Sequence, residues 1–223
     1  MATDEAVEKI RSLGVTHIYD LRSNTEIQKM QVSDSKASVI NWPGVERVSS
    51  PVFPEESYDP VSLAKRHAEY QDDSPKGMVN AYLTILKTGA PAYRTIMQHI
   101  LEHPPPQNAF IIHCTAGKDR TGVLGALILS LCGVPDEVVA DEYSLTEDGL
   151  GAWTEFLVSA ILKQGATTEA GARRMVGARR DSMLDTLKML QSEFGGAAGY
   201  FETECGFTKE EIEQIRSHLI VRD

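Results

Sequence analysis

Apolar residues recur at helical spacing at the start of the chain: Val7, Ile10 and Leu13 lie on one face, and Gly14 follows as a stop, which predicts a helix over residues 4–13. The period then changes. Val15 to Leu21 (VTHIYDL) is β-branched and aromatic-rich and reads as a strand, with Arg22-Ser23-Asn24-Thr25 as its exit turn. Further strands are expected at Ser38–Trp42 and Arg47–Phe53. Asp59-Pro60 has the chemistry of a helix start, and Met78–Lys87 and Pro91–Leu101 predict two more helices. After the breaker His103-Pro104-Pro105-Pro106, Ala109–His113 is a continuous apolar run that suits a central parallel strand buried on both faces. It leads through a glycine-containing loop into a helix over Gly122–Cys132. Helices are then expected at Asp136–Thr146, Gly151–Gln164, Glu169–Ala178, Asp181–Glu193 and Thr208–Leu219, the last opened by the capping box Thr208-x-x-Glu211. Gly165–Thr168 and Gly195–Gly199 read as loops. The pattern predicts an α/β fold: a central, mainly parallel sheet flanked by helices, with a helical C-terminal half.

At 223 residues, with 42 % hydrophobic and 24 % charged positions, the chain can bury one sizeable core, so a single domain over residues 1–223 is expected. The net charge of −10 repels nucleic acid and anionic membranes, so no nucleic-acid partner is expected and a phosphate site would be a local exception. The longest nearly apolar stretch, Val123–Val134, falls well short of the roughly 20 residues of a membrane span, and the N-terminus lacks a secretory pattern. A cytoplasmic protein without a transmembrane segment is the expectation. Cys114, Cys132 and Cys205 are too few and too irregularly spaced for a disulfide framework or a metal site. Cys132 and Cys205 fit the core, which leaves Cys114 as the one candidate nucleophile; neither metal nor cofactor is expected.

The chemistry is concentrated in His113-Cys114-Thr115-Ala116-Gly117-Lys118-Asp119-Arg120-Thr121-Gly122. Five residues between a cysteine and an arginine let the backbone N–H groups of residues 115–120 converge on one anion, reinforced by the N-terminus of the following helix. Such a cradle fits a phosphate. Arg120 supplies a planar fork for two phosphate oxygens, and the same positive potential favours a Cys114 thiolate, a nucleophile toward phosphorus. Thr121 offers a hydroxyl to that thiolate, and His113 can orient it.

The string His-Cys-x5-Arg-Thr-Gly resembles the protein tyrosine phosphatase superfamily, and HCTAGKDRTG in particular resembles its atypical tyrosine/serine phosphatase family of bacteria and fungi. The resemblance extends to Asp20-Leu21-Arg22-Ser23 with Glu26, to Gly177-Ala178-Arg179 and to Tyr200…Gly206-Phe207-Thr208. Family members usually begin with a segment carrying Asn-x-Arg-Asp-x-Gly-Gly, and this chain starts after it. The resemblance implies a cysteine-dependent phosphatase working through a phosphocysteine on phosphotyrosine, phosphoserine/threonine or phosphoinositide, with Asp119 as the acid that protonates the leaving oxygen. Asp72 and Asp73 are the competing acid on a separate loop, although QDDSPKG reads more simply as a solvated turn. Asp20 is expected to assist at the sheet edge or to brace Arg22. Lys118 resembles the loop lysine of phosphoinositide phosphatases and would add a second cation. Arg173, Arg174, Arg179 and Arg180 form a basic run that reads best as a solvated helix face. A phosphate-dependent binding module is the other class, and the presence of both Cys114 and Arg120 favours the enzyme, because a pure binder has no need of a thiolate.

Overall fold

The computed structural model describes residues 3–33, 39, 41–163, 165 and 167–220. Its elements run α1 (Asp4–Ser12), β1 (Val15–Asp20), α2 (Asn24–Ser33), β2 (Glu46–Ser49), a 3-10 turn (Glu55–Tyr58), α3 (Pro60–Gln71), α4 (Pro75–Glu102), β3 (Ala109–His113), α5 (Asp119–Leu131), α6 (Asp136–Leu150), α7 (Trp153–Lys163), α8 (Glu169–Val176), α9 (Arg180–Phe194), α10 (Gly196–Thr203) and α11 (Lys209–Leu219). Among the described residues no helix is long and apolar enough to cross a membrane.

The chain divides into two compact units. The first, residues 1–55, 88–121 and 201–223, holds the sheet. Its three strands are all parallel in the order β2-β1-β3, with Asp20 opposite both Ser49 and His113. Thus β1, not β3, is the middle strand, and β3 is only half-buried along its length. Ile18, Leu21, Val52, Tyr93, Ile96, Met97 and Ile100 form this unit's buried interior. The second unit, residues 56–87 and 122–200, is helical; Tyr82, Leu86, Leu124, Met183, Leu187 and Tyr200 are buried in it.

Five local expectations change. Residues 24–33 form a helix and not an exit turn, because Ser23 and Glu26 cap each other: Glu26 N–H donates to Ser23 Oγ at 3.2 Å and Ser23 N–H donates to the Glu26 carboxylate at 3.1 Å. The two helices expected around Pro91 are one, α4. A proline inside a helix costs about 3 kcal/mol, but the buried stripe runs through it, from Tyr82, Ile85 and Leu86 to Tyr93, Ile96 and Met97. Each of those side chains contributes about 1.5–3 kcal/mol on burial, so packing wins. The glycine-rich segment at 195–199 leaves the helix only at Gly195; Gly195 and Gly196 are both in the left-handed region, and α10, starting at Gly196, buries Ala197, Tyr200 and Phe201. Gly199 is required there, since a Cβ would lie 1.8 Å from the Phe194 carbonyl oxygen. The strand expected over Arg47–Phe53 ends at Ser49, before Pro51. Of the strand expected at Ser38–Trp42, Ser38 and Ile40 lie outside the described residues, and Val39, Asn41 and Trp42 are not in a strand.

A ring cluster lines the far side of β1: His99 packs edge-on against His17, Tyr19, His103 and Phe110. His99 is buried and donates through Nε2 to the Asn108 carbonyl at 2.9 Å. Burial pushes its pKa below the usual value, a push that His17 and His103 add to and that Asn108 and Glu102 oppose. The unfolded chain, with an ordinary value of about 6.5, therefore takes up the proton first as pH falls. The stabilisation from neutral His99 is complete above that value and is lost below it. His99→Gln should narrow the fall in melting temperature between pH 7.5 and pH 5.5; an unchanged fall would place the acid sensitivity elsewhere.

Candidate active site

The end of β3 delivers the chemistry. Cys114 follows His113 directly and is 6 % exposed, and residues 115–118 bend away before α5 starts at Asp119. Gly117 makes the bend possible with a φ of +71°, a conformation that strains any residue with a Cβ. Arg120 then falls in the first turn of α5, five residues beyond Thr115.

Its guanidinium is gripped from α2. Nη1 donates to Glu26 Oε2 at 2.7 Å and to the Leu21 carbonyl at 3.3 Å; Nη2 donates to Glu26 Oε1 at 2.8 Å and to Thr115 Oγ1 at 3.2 Å. The Thr115 hydroxyl in turn donates to Glu26 Oε1 at 3.1 Å, and the Phe53 ring lies 5.7 Å from the guanidinium carbon. This bidentate fork is the geometry in which arginine binds carboxylate or phosphate most strongly, and Glu26 offers the same pair of oxygens that a phosphate would.

Beneath it sits Asp20, with no solvent exposure. Burial pushes its carboxyl up, but hydrogen bonds from Arg22 and Arg47, with the backbone N–H of Arg22 and the nearby His113, more than reverse this and hold it at about 2. Asp20 braces Arg22, the second of the two roles expected of it, and Arg47 as well. His113 donates through Nδ1 to the Cys114 carbonyl at 3.0 Å, and its Nε2 lies 3.6 Å from Asp20 Oδ2. Burial pushes the His113 pKa down, against Asp20 and the Cys114 carbonyl, which push it up. The Thr121 hydroxyl is buried without a hydrogen-bond partner.

Lys118 is turned inward: it is 2 % exposed, with Nζ 2.9 Å from Asp119 Oδ1. Asp119 itself is 24 % exposed and so, unlike Asp20, reaches solvent. The separate-loop aspartates are spent locally, Asp72 on the Ser74 N–H and hydroxyl and Asp73 on Arg174. In the basic run, Arg173 pairs with Glu155 and Glu169 and Arg180 with Asp141, all on exposed helix faces. Cys205 is buried, its thiol donating to the Ala90 carbonyl, and Cys132 is half-buried.

Three residues of the site were not assigned from sequence: Glu26, Arg22 and Arg47. The signal for Glu26 was present in Ser23-x-x-Glu26, which fixes both the helix start and the carboxylate that reaches Arg120. Replacing that carboxylate leaves a nearly buried guanidinium short of charge. Glu26→Gln should cost about 1–3 kcal/mol of stability. Inorganic phosphate should then raise the melting temperature of the variant more than that of the wild type, because the anion supplies the missing charge; equal shifts would mean that phosphate does not meet Arg120.

Residues 1–221 match the family model described as the tyrosine phosphatase family. A tyrosine-protein phosphatase of Nostoc commune is 30 % identical over 149 residues, covering 65 % of this chain and 50 % of that protein. The triple specificity protein phosphatase PtpB of Mycobacterium tuberculosis is 23 % identical over 121 residues, covering 49 % of this chain and 43 % of that protein. The chain thus spans about half the length of each of these relatives. Because the family match takes in the α2 glutamate, strand β3, the loop and the C-terminal helices alike, the chain belongs to the tyrosine phosphatase family.

Proposed function

We propose that this protein is a cysteine-dependent phosphatase that hydrolyses phosphotyrosine monoesters, with phosphoserine and phosphothreonine as further substrates, through a phosphocysteine intermediate. The observation that carries the reading is the placing of Cys114 at one end and a carboxylate-gripped Arg120 at the other end of a single bend between β3 and α5. The names of the relatives support the activity, and the words "triple specificity" in one of them favour a range wider than phosphotyrosine.

In this reading the substrate dianion takes over the Arg120 fork from Glu26. The Cys114 thiolate attacks phosphorus, the ester P–O bond breaks, and the leaving oxygen takes a proton from the Asp119 carboxyl. Water then attacks the phosphorus of the phosphocysteine and gives its proton to the Asp119 carboxylate; the S–P bond breaks, and inorganic phosphate and the thiolate are restored. Arg120 holds two non-bridging oxygens throughout and gains strength as charge spreads over them. Thr115 to Arg120 form the phosphate cradle, with His113 and Thr121 supporting the thiolate from the two ends of the loop.

The phosphoinositide alternative depends on a second cation held toward a neighbouring phosphate. Lys118, turned inward onto Asp119, is poorly placed for that, which favours substrates presenting a single phosphate.

Wild-type protein should hydrolyse p-nitrophenyl phosphate with inhibition by vanadate. Asp119→Ala should depress turnover of phenyl phosphate, a poor leaving group, by about 10²-fold or more while affecting p-nitrophenyl phosphate much less. The Asp72→Ala/Asp73→Ala double variant should show no such dependence. Leaving-group dependence in the double variant and not in Asp119→Ala would move the acid to the separate loop.

A further inference from the structure

The side-chain grip on Arg120 has a counterpart on its backbone. Tyr93, on α4, has no solvent exposure, and its hydroxyl donates to the Arg120 carbonyl at 2.8 Å. We propose that Tyr93 is a positioning residue for Arg120, fixing the backbone from which the guanidinium is aimed and acting chiefly in the transition state; this rests on the phosphatase reading above.

An arriving phosphate disturbs the guanidinium's own contacts first. The guanidinium bonds to Glu26, Leu21 and Thr115 are made through Nη1 and Nη2, the same atoms that would hold a phosphate. Exchanging Glu26 for an anion therefore dissolves much of the side-chain grip at the moment when aim matters most. The bond from Tyr93 is made to the main chain and survives the exchange. It also acts at a point of weak local restraint, since residues 115–118 are bends without regular structure and Arg120 is only the second residue of α5. Burial pushes the Tyr93 phenol well above its usual range, so the hydroxyl remains a donor at any working pH.

The ring has a prepared seat. Gly89, one turn earlier on α4, leaves room for it: a Cβ at that position would come within 3.3 Å of the Tyr93 ring and 3.2 Å of Val52. A donor held in that way cannot follow the carbonyl if the first turn of α5 shifts, which makes the bond restrictive and not merely available.

A matched control exists on α10, bonded to the same helix α4. Tyr200 is likewise fully buried, and its hydroxyl donates to the Leu86 carbonyl of α4 at 2.6 Å, so Tyr200→Phe deletes an equivalent bond that has no part in the loop.

Steady-state kinetics on p-nitrophenyl phosphate and calorimetric binding of orthovanadate and inorganic phosphate should be measured for wild type, Tyr93→Phe and Tyr200→Phe. For Tyr93→Phe, kcat should fall about 3–10-fold, as expected for one lost hydrogen bond, with KM changed less than about twofold. Vanadate, which resembles the transition state, should lose affinity by the same factor as kcat, and phosphate by much less. Tyr200→Phe should leave all of these unchanged whatever it does to melting temperature. The proposal is overturned if Tyr93→Phe retains wild-type vanadate affinity, if vanadate and phosphate weaken equally, or if the two variants behave alike. If the Phe variant does not fold, Gly89→Ala, which presses on the ring and keeps the hydroxyl, must show the same preferential loss of vanadate over phosphate. Absence of wild-type turnover would sink the phosphatase reading alone, because the binding arm still measures what Tyr93 does.

Discussion

A carboxylate withdrawn completely from water must be neutralised where it stands, and at Asp20 that requirement organises the sheet edge on which the loop is built. Leaving such a charge unpaired costs several kcal/mol. Asp20 avoids the cost by holding Arg22 two residues on and Arg47 on the neighbouring strand, with His113 opposite on β3. Parallel pairing brings these groups together only in one register. A slip of one residue between β1 and β2 would turn Arg47 to the other face and strand the carboxylate. The same ladder joins β1 to β3, so the pairing that satisfies Asp20 also sets where β3 ends and where Cys114 begins.

Four cations, Arg22, Arg47, Lys118 and Arg120, stand beside three carboxylates, Asp20, Glu26 and Asp119. The pairs are not equivalent. Asp20 has no exposure and is locked, whereas Glu26, at 18 % side-chain exposure, holds Arg120 in a fork that an incoming phosphate can match oxygen for oxygen. A buried pair that fixes the fold lies beside a more open pair that can exchange partners. That difference in burial separates architecture from chemistry at one strand end.

Much of this was legible in the residues themselves. The apolar run before Cys114 predicted β3, and the glycine-containing segment after it predicted a bend before a helix. The capping chemistry of Thr208 and Asp59 marked the starts of α11 and α3. What escaped prediction depended on contacts distant in sequence or on packing. No local pattern reports that Glu26 meets a guanidinium 94 residues later, or that Lys118 turns inward. Pro91 signalled a break that the buried stripe of α4 overrides, and the glycines at 195–199 hid a helix that one of them makes possible by letting backbone approach backbone. The Ser23-x-x-Glu26 box was readable, and taking Arg22–Thr25 only as a turn obscured it.

The central claim is that Cys114 attacks phosphorus and carries the phosphoryl group. It is tested most directly by quenching the wild-type protein in acid within milliseconds of mixing with a radiolabelled phosphotyrosine peptide, then digesting it and locating the label. Labelled phosphate should be found on the peptide containing Cys114 in the wild type, and none in Cys114→Ser. Turnover without label on that peptide, or label retained in Cys114→Ser, would contradict it.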